Sequence, residues 1–254
     1  MTNFELQPVA PPTLPPPAFW GWREIIKATL FMVGGTILVF VGLAGVLVAT
    51  GLNEAATAKM SSAPIFLAVT AIYGFVILGV YLFAVRRPGS SWAQVGVRPF
   101  AGWWVALAPL LTAVQLTGMA LINVGIIQPL MGEAFENPQI EAITGGLSLT
   151  PGDLVLLLIL VAVIAPIAEE LFFRGMLYPV LRRRWGVGVA VVVNALVFAV
   201  IHVIPILIPG LFFVGLILAW VRERSGSVLP TILMHMIQNG VVMIGIYAIA
   251  NGAV

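Results

Sequence analysis

Residues 153–181 read DLVLLLILVAVIAPIAEELFFRGMLYPVL, and this stretch decides the fold. Its first part after Asp153 is uninterruptedly apolar, and the whole stretch is long enough to cross the ~30 Å hydrocarbon core of a bilayer. Two adjacent glutamates and an arginine then follow inside the same run, at 169, 170 and 174. An ionisable residue at the centre of a membrane costs about 2.5–3.5 kcal/mol on insertion scales. Glu169 and Glu170 precede the Arg182 cluster by twelve or thirteen residues, which places them ~18 Å inward at 1.5 Å per residue. They are not at the rim, so something must offset their cost.

The rest of the chain has the same character. Of its 254 residues 61% are hydrophobic and 9% charged, against about 25% charged in ordinary soluble domains. The expected fold class is all-α: a polytopic transmembrane helix bundle of about seven spans, with a polar cavity among the C-terminal helices. A β-barrel would show short alternating segments instead. The spans are expected at 27–50, 63–85, 102–127, 153–181, 187–204, 206–221 and 229–250. The sixth borders IPILIPG, whose prolines and glycine break helices, and is expected to be tilted, kinked or partly re-entrant. There is no cysteine, which excludes disulfides, thiolate catalysis and thiolate-ligated metals.

Three parts follow: a Pro-rich, disordered tail at 1–21, membrane helices with a connecting loop at 22–149, and a motif-bearing membrane region at 150–254. The small-residue ATA at 56–58 follows an apolar run too long for a signal peptide, so that run is read as a retained span. With the N-terminus placed in the cytoplasm, ten of the twelve basic residues fall in cytoplasmic connections: Arg23, Lys27, Arg86, Arg87, Arg98, Arg182, Arg183, Arg184, Arg222 and Arg224. Lys59 falls outside with Glu54, Glu133, Glu136, Glu141 and Asp153. This is a strong positive-inside bias. It predicts a multi-pass protein of a bacterial-type inner membrane with a cytoplasmic N-terminus. In the polar loop, 137–143 is expected as a short interfacial helix. Thr150 is expected to cap the next helix, with Pro151 at its first position.

Within the unusual span, Arg174 lies four residues after Glu170, so the two share a helix face and can pair. Glu169 points about 100° away, toward apolar neighbours. It is the less compensated carboxylate, and so the one available as a general base. Pro166 removes a helical hydrogen bond just upstream, and a kink there would open space beside the glutamates. Both histidines of the chain also fall in spans. FAVIH sets Phe198 and His202 one turn apart, and HMIQN does the same for His235 and Asn239. Measured from the cytoplasmic ends of their spans, His202 lies ~22 Å deep, His235 ~10 Å and Asn239 ~16 Å. These depths bracket that of the glutamates. Taken singly each residue has a plainer reading: an ion pair between helices, a hydrogen-bonded histidine, an interhelical amide, a packing phenylalanine. The set at compatible depth points to a shared wet site.

The three motifs resemble those of the CPBP family, the CAAX protease and bacteriocin-processing (Abi) group of intramembrane endopeptidases. EExxxR matches 169–174, FxxxH matches 198–202 and HxxxN matches 235–239, in the family's order. The resemblance covers about 150–245 and leaves the first three spans generic. It implies a hydrolase that cleaves membrane-associated peptides, prenylated CAAX-type peptides among them, through a glutamate-activated water. Glu169 would be the base and His202 would position the water. His235 and Asn239 would meet the oxyanion, Glu170 would orient the site through Arg174, and Phe198 would shape the cavity. The family is often labelled metalloprotease, so the cofactor is either none or zinc, with Glu169, His202 and His235 as candidate ligands. Implied partners are membrane lipid and a membrane-associated peptide or protein, with no nucleic acid. The rival readings are a non-proteolytic immunity or regulatory protein on the same scaffold, and a proton-coupled transporter.

Overall fold

The computed structural model describes residues 20–51, 57–131 and 137–253. Nearly all of the Pro-rich tail, with Glu54, Glu133, Glu136 and part of ATA, lies outside the described residues. Among the described residues the chain is helical throughout, with no strand. The helices are α1 (Trp22–Thr50), α2 (Ala63–Val80, continued as a π-helical turn Tyr81–Val85), α3 (Trp92–Val95), α4 (Trp103–Ile122, continued through Asn123–Ile127), α5 (Gln128–Met131) and α6 (Pro138–Thr144). They continue with α7 (Pro151–Leu157), α8 (Ala165–Glu170), α9 (Tyr178–Val200), α10 (Ile208–Ser225) and α11 (Leu229–Ala250). Two further π-helical stretches, Leu158–Ile164 and Leu171–Leu177, flank α8.

Among the described residues, six continuous runs are long and apolar enough to cross a membrane, against the seven spans expected. The difference is one join. The run Pro151–Val200 contains both the fourth and the fifth expected span, and it breaks at Gly186 with φ 75° and ψ 178°. That conformation is essentially restricted to glycine, so the sequence RRRWG ends one crossing and starts the next. The fifth expected span stops at Val200 rather than at 204. From 187 to 200 it covers only ~21 Å. The sixth expected span begins with a single 3₁₀ turn, Pro205–Leu207; Pro209 falls in the first turn of α10, which runs on to Ser225.

The chain is an integral, multi-pass membrane protein. Its apolar side chains face outward along the helices, with Leu30, Val48, Leu110 and Leu121 exposed, while Glu170, Arg174, Asn194 and Arg222 are buried inside. This inversion is expected where the surrounding solvent is lipid. All seven residues of Leu171–Leu177 are buried, at the centre of the bundle. α9 packs on α10, α1 on α2, and α11 on α4 and on Leu158–Ile164.

The two ends of the bundle are tied by different chemistry. At the basic end Arg87 pairs with Glu24 at 2.9 Å and Arg182 with Glu223 at 2.7 Å. Arg98 donates to Gly226 O at 2.7 Å. At the opposite end Asp153 accepts from Lys59 at 3.1 Å and from Ser61 at 2.6 Å. Asp153 also closes a capping box with Thr150 at the start of α7, with Pro151 in the first turn, as expected. The interfacial helix expected at 137–143 is α6, capped by the Asn137 side chain on Gln139 N.

Candidate active site

Two prolines explain how the helices around the glutamates are joined. In Leu158–Ile164 the backbone bonds reach five residues back, and Ala165 N donates to Leu160 O. The next bond in that register would run from Pro166 to Val161 O, and proline has no N–H. Asn239, on α11, donates its amide to Val161 O instead, at 2.9 Å. The same happens after the glutamates. Tyr178 N donates to Phe173 O, and the next donor in register would be Pro179, opposite Arg174 O. Arg222, on α10, fills that place with Nε at 3.1 Å. Asn194 adds a bond to Phe173 O at 2.8 Å, and Trp20 one to Met176 O at 2.8 Å. The kink expected at Pro166 is thus taken up as π-helix, a feature frequent at functional sites, and the freed carbonyls tie the segment to its neighbours.

Glu170 and Arg174 form the expected pair. Both are fully buried, and Arg174 Nη1 donates to Glu170 Oε1 at 2.7 Å. Arg174 Nη2 donates to Gly215 O at 3.2 Å, and its guanidinium lies 4.4 Å from the centre of the Phe198 ring. Pairing, backbone acceptance and the aromatic face together offset a desolvation that neither charge could bear alone. His235 stands on the same carboxylate, with Nδ1 3.1 Å from Glu170 Oε1. A carboxylate oxygen accepts, so Nδ1 donates to Glu170, and Nε2 is the ring nitrogen left toward Glu169.

Glu169 is not surrounded by apolar groups alone, as its own helix led us to expect. Tyr73, on α2, donates to Glu169 Oε1 at 3.0 Å. His235 Nε2 lies 3.8 Å from Glu169 Oε2. The Glu169 side chain is 16% exposed, against 0% for Glu170. His235 therefore bridges the two acids, one ring nitrogen toward each.

Phe198 stands between the histidines, its ring 4.9 Å from that of His202 and 5.8 Å from that of His235, both edge-on. His202 lies just beyond the end of α9 rather than on it. Its Nδ1 donates to Phe198 O at 2.7 Å, capping the helix. The structure thus brings Glu169, Glu170, Arg174, Phe198 and His235 into one cluster. His202 sits across Phe198 from that cluster, and Asn239 sits one turn along α11 from His235. A cavity of about 240 Å³ lies elsewhere, between α4, α10 and α11; it is lined by mostly apolar side chains such as Leu116, Met119 and Val242, and by no motif residue.

A zinc ion needs three convergent donors and an open position. His202 Nδ1 is turned to a backbone carbonyl and His235 Nδ1 to Glu170, which leaves each Nε2 as the nitrogen able to coordinate, so the fit depends on convergence. Among the described residues, no three His, Asp or Glu side chains come together as a metal-binding group. Glu169, His202 and His235 as arranged do not fit the ion.

Reasoning from sequence missed Tyr73, Asn194 and Arg222. A signal existed for two of them. Tyr73 is a phenol in the middle of an apolar span, and Asn194 precedes Phe198 and His202 at four-residue spacing in another. Arg222 reads from the sequence as one more arginine of the cytoplasmic cluster, and only the fold shows it 1% exposed against a backbone carbonyl.

Residues 151–241 match the family described as type II CAAX prenyl endopeptidase Rce1-like. This segment is similar to that family. The match spans all three motifs and the helices that carry the cluster, in agreement with the resemblance found from the motifs alone. An uncharacterized 24.3 kDa protein of Escherichia coli is 30% identical over 146 residues, which cover 52% of this chain and 66% of that protein's length. No solved structure matches the chain.

Proposed function

We propose that this protein is an intramembrane endopeptidase that hydrolyses membrane-associated peptides with a glutamate-activated water. The observation that carries the reading is the 3.8 Å gap between Glu169 Oε2 and His235 Nε2, which face each other. That gap is too wide for a direct hydrogen bond and suits a water bonded to both. Glu169 takes a proton from this water as its oxygen adds to the peptide carbonyl, while His235 orients it. Asn239 has two amide hydrogens, one of them on Val161 O, and the second is available to the oxyanion. Such a donor is worth about 2.7–4 kcal/mol where water is excluded. Glu169 then passes its proton to the leaving amine, the C–N bond breaks, and a carboxylate and an amine depart. Glu170 and Arg174 hold the tautomer and orientation of His235, Phe198 walls the site, and His202 lines it beyond that ring. The geometry favours His235 over His202 as the partner of the water, a change from the roles that the resemblance implied.

The Rce1-like match supports lipidated, CAAX-type peptides as the substrate class, presented from the cytoplasmic face of a bacterial-type inner membrane. Purified protein in proteoliposomes, offered fluorogenic peptides with and without a prenyl chain, tests this. Faster cleavage of the membrane-anchored peptide is expected. Equal cleavage of a fully soluble peptide contradicts the substrate class. A non-proteolytic immunity or regulatory role would instead survive Glu169→Gln unchanged.

A further inference from the structure

We propose that Tyr73 is a positioning residue for Glu169, supplied by a helix outside the segment that carries the three motifs. The inference rests on the peptidase reading above. Tyr73 is the eleventh residue of the apolar run Ala63–Val85, which places it near the middle of the membrane. Tyrosine is ordinarily enriched at the membrane–water interface, where its hydroxyl stays wet. Tyr81, on the same helix, follows that rule and stacks on Trp92 with ring centres 6.3 Å apart. Tyr178 reaches Glu223 toward the basic end at 2.9 Å. Tyr73 instead carries its hydroxyl into the bundle, and its partner there is Glu169 Oε1 at 3.0 Å.

The bond divides the labour of the carboxylate. Oε1 is occupied by the phenol, so Oε2, the oxygen toward His235 Nε2, is left to receive a proton from water. Glu169 has no arginine of its own, since Arg174 Nη1 is spent on Glu170. Apart from the phenol, no hydrogen-bond donor is described on the Glu169 side chain. Misplacement of a catalytic group by about 1 Å can cost on the order of 10²-fold in rate. One turn earlier, the buried Thr70 Oγ1 has no hydrogen-bond partner, so this face of α2 offers a second polar group beside the first.

Tyr73→Phe removes one oxygen and keeps the ring. The expected result is a kcat lower by roughly 10- to 100-fold, with KM within about twofold and the melting temperature unchanged. In a Glu169→Gln background the same substitution should cost nothing further, because there is no base left to position. A Tyr73→Phe variant with wild-type kcat, or one that changes KM alone, overturns the proposal. A spectroscopic arm is independent of turnover. The carboxylate stretching band that Glu169→Gln abolishes in infrared difference spectra should shift in Tyr73→Phe, and an unshifted band overturns the proposal. If the wild type cleaves no membrane peptide, the peptidase reading fails by itself, and the infrared band still decides whether Tyr73 holds Glu169.

Discussion

At the scale of residues, Glu170 Oε1 accepts from Arg174 and His235, while Glu169 meets a phenol and faces an imidazole across a gap. Neutral isosteres at these adjacent positions should therefore behave in opposite ways. Glu170→Gln leaves the guanidinium of Arg174 buried without its counter-charge. Breaking one partner of a buried pair typically costs about 3–5 kcal/mol, so a clearly lower melting temperature in detergent is expected. Glu169→Gln should leave the melting temperature almost unchanged and abolish cleavage. Equal loss of stability in both variants would contradict the division between a structural acid and a reactive one. The pairing of Glu170 with Arg174 was legible in the sequence, because four-residue spacing on a helix is local geometry. The neighbours of Glu169 were not, because Tyr73 lies 96 positions away and only packing brings it there.

At the scale of elements, π-helical stretches and close helix approach set the side chains in place. Pro166 and Pro179 each leave a carbonyl that a polar side chain of another helix takes up, Asn239 in one case and Arg222 in the other. The prolines are visible in the sequence, and so is the need to satisfy the carbonyls they expose. Which side chain answers is a tertiary fact. The approach of α10 to α9 is similarly tight. A Cβ on Gly215 would stand 2.9 Å from Ala195 Cα and 3.2 Å from Ala195 O, both backbone atoms that cannot swing aside. Gly215 O also receives Arg174. Gly215→Ala is expected to cost about 1–3 kcal/mol and to slow cleavage by moving Arg174. Gly118→Ala meets the Phe213 ring, at 2.0 Å from Cε1, a side chain that can be displaced where backbone cannot, and should be milder in a melting assay on both variants. The reverse order would show that the two helices can part freely.

At the scale of the whole molecule, one end of the bundle differs from the other. All seven tryptophans of the chain lie near the basic ends of the spans: Trp20, Trp22, Trp92, Trp103, Trp104, Trp185 and Trp220. Several meet there, as Trp22 does Trp185 at 5.7 Å and Trp104 does Trp220 at 6.3 Å. The tryptophans mark an interface, and the basic residues on the same face match the positive-inside rule and predict a cytoplasmic N-terminus. The chain has no native cysteine, so single substitutions report sidedness cleanly. Arg184→Cys should react with a membrane-impermeant maleimide only after cells are opened, and Ser148→Cys in intact spheroplasts; the opposite pattern would invert the topology. The bundle and its polar layer were legible in the sequence because lipid demands long apolar runs and makes every exception conspicuous. The break at Gly186 was legible as well, because the three arginines at 182–184 interrupt the apolar pattern just before it. The most direct measurement of the central claim compares wild type and Glu169→Gln in proteoliposomes on one membrane-anchored peptide. A rate lower by at least ~10²-fold, with an unchanged melting temperature, is predicted. Equal rates would contradict the assignment of hydrolysis to a water activated by Glu169.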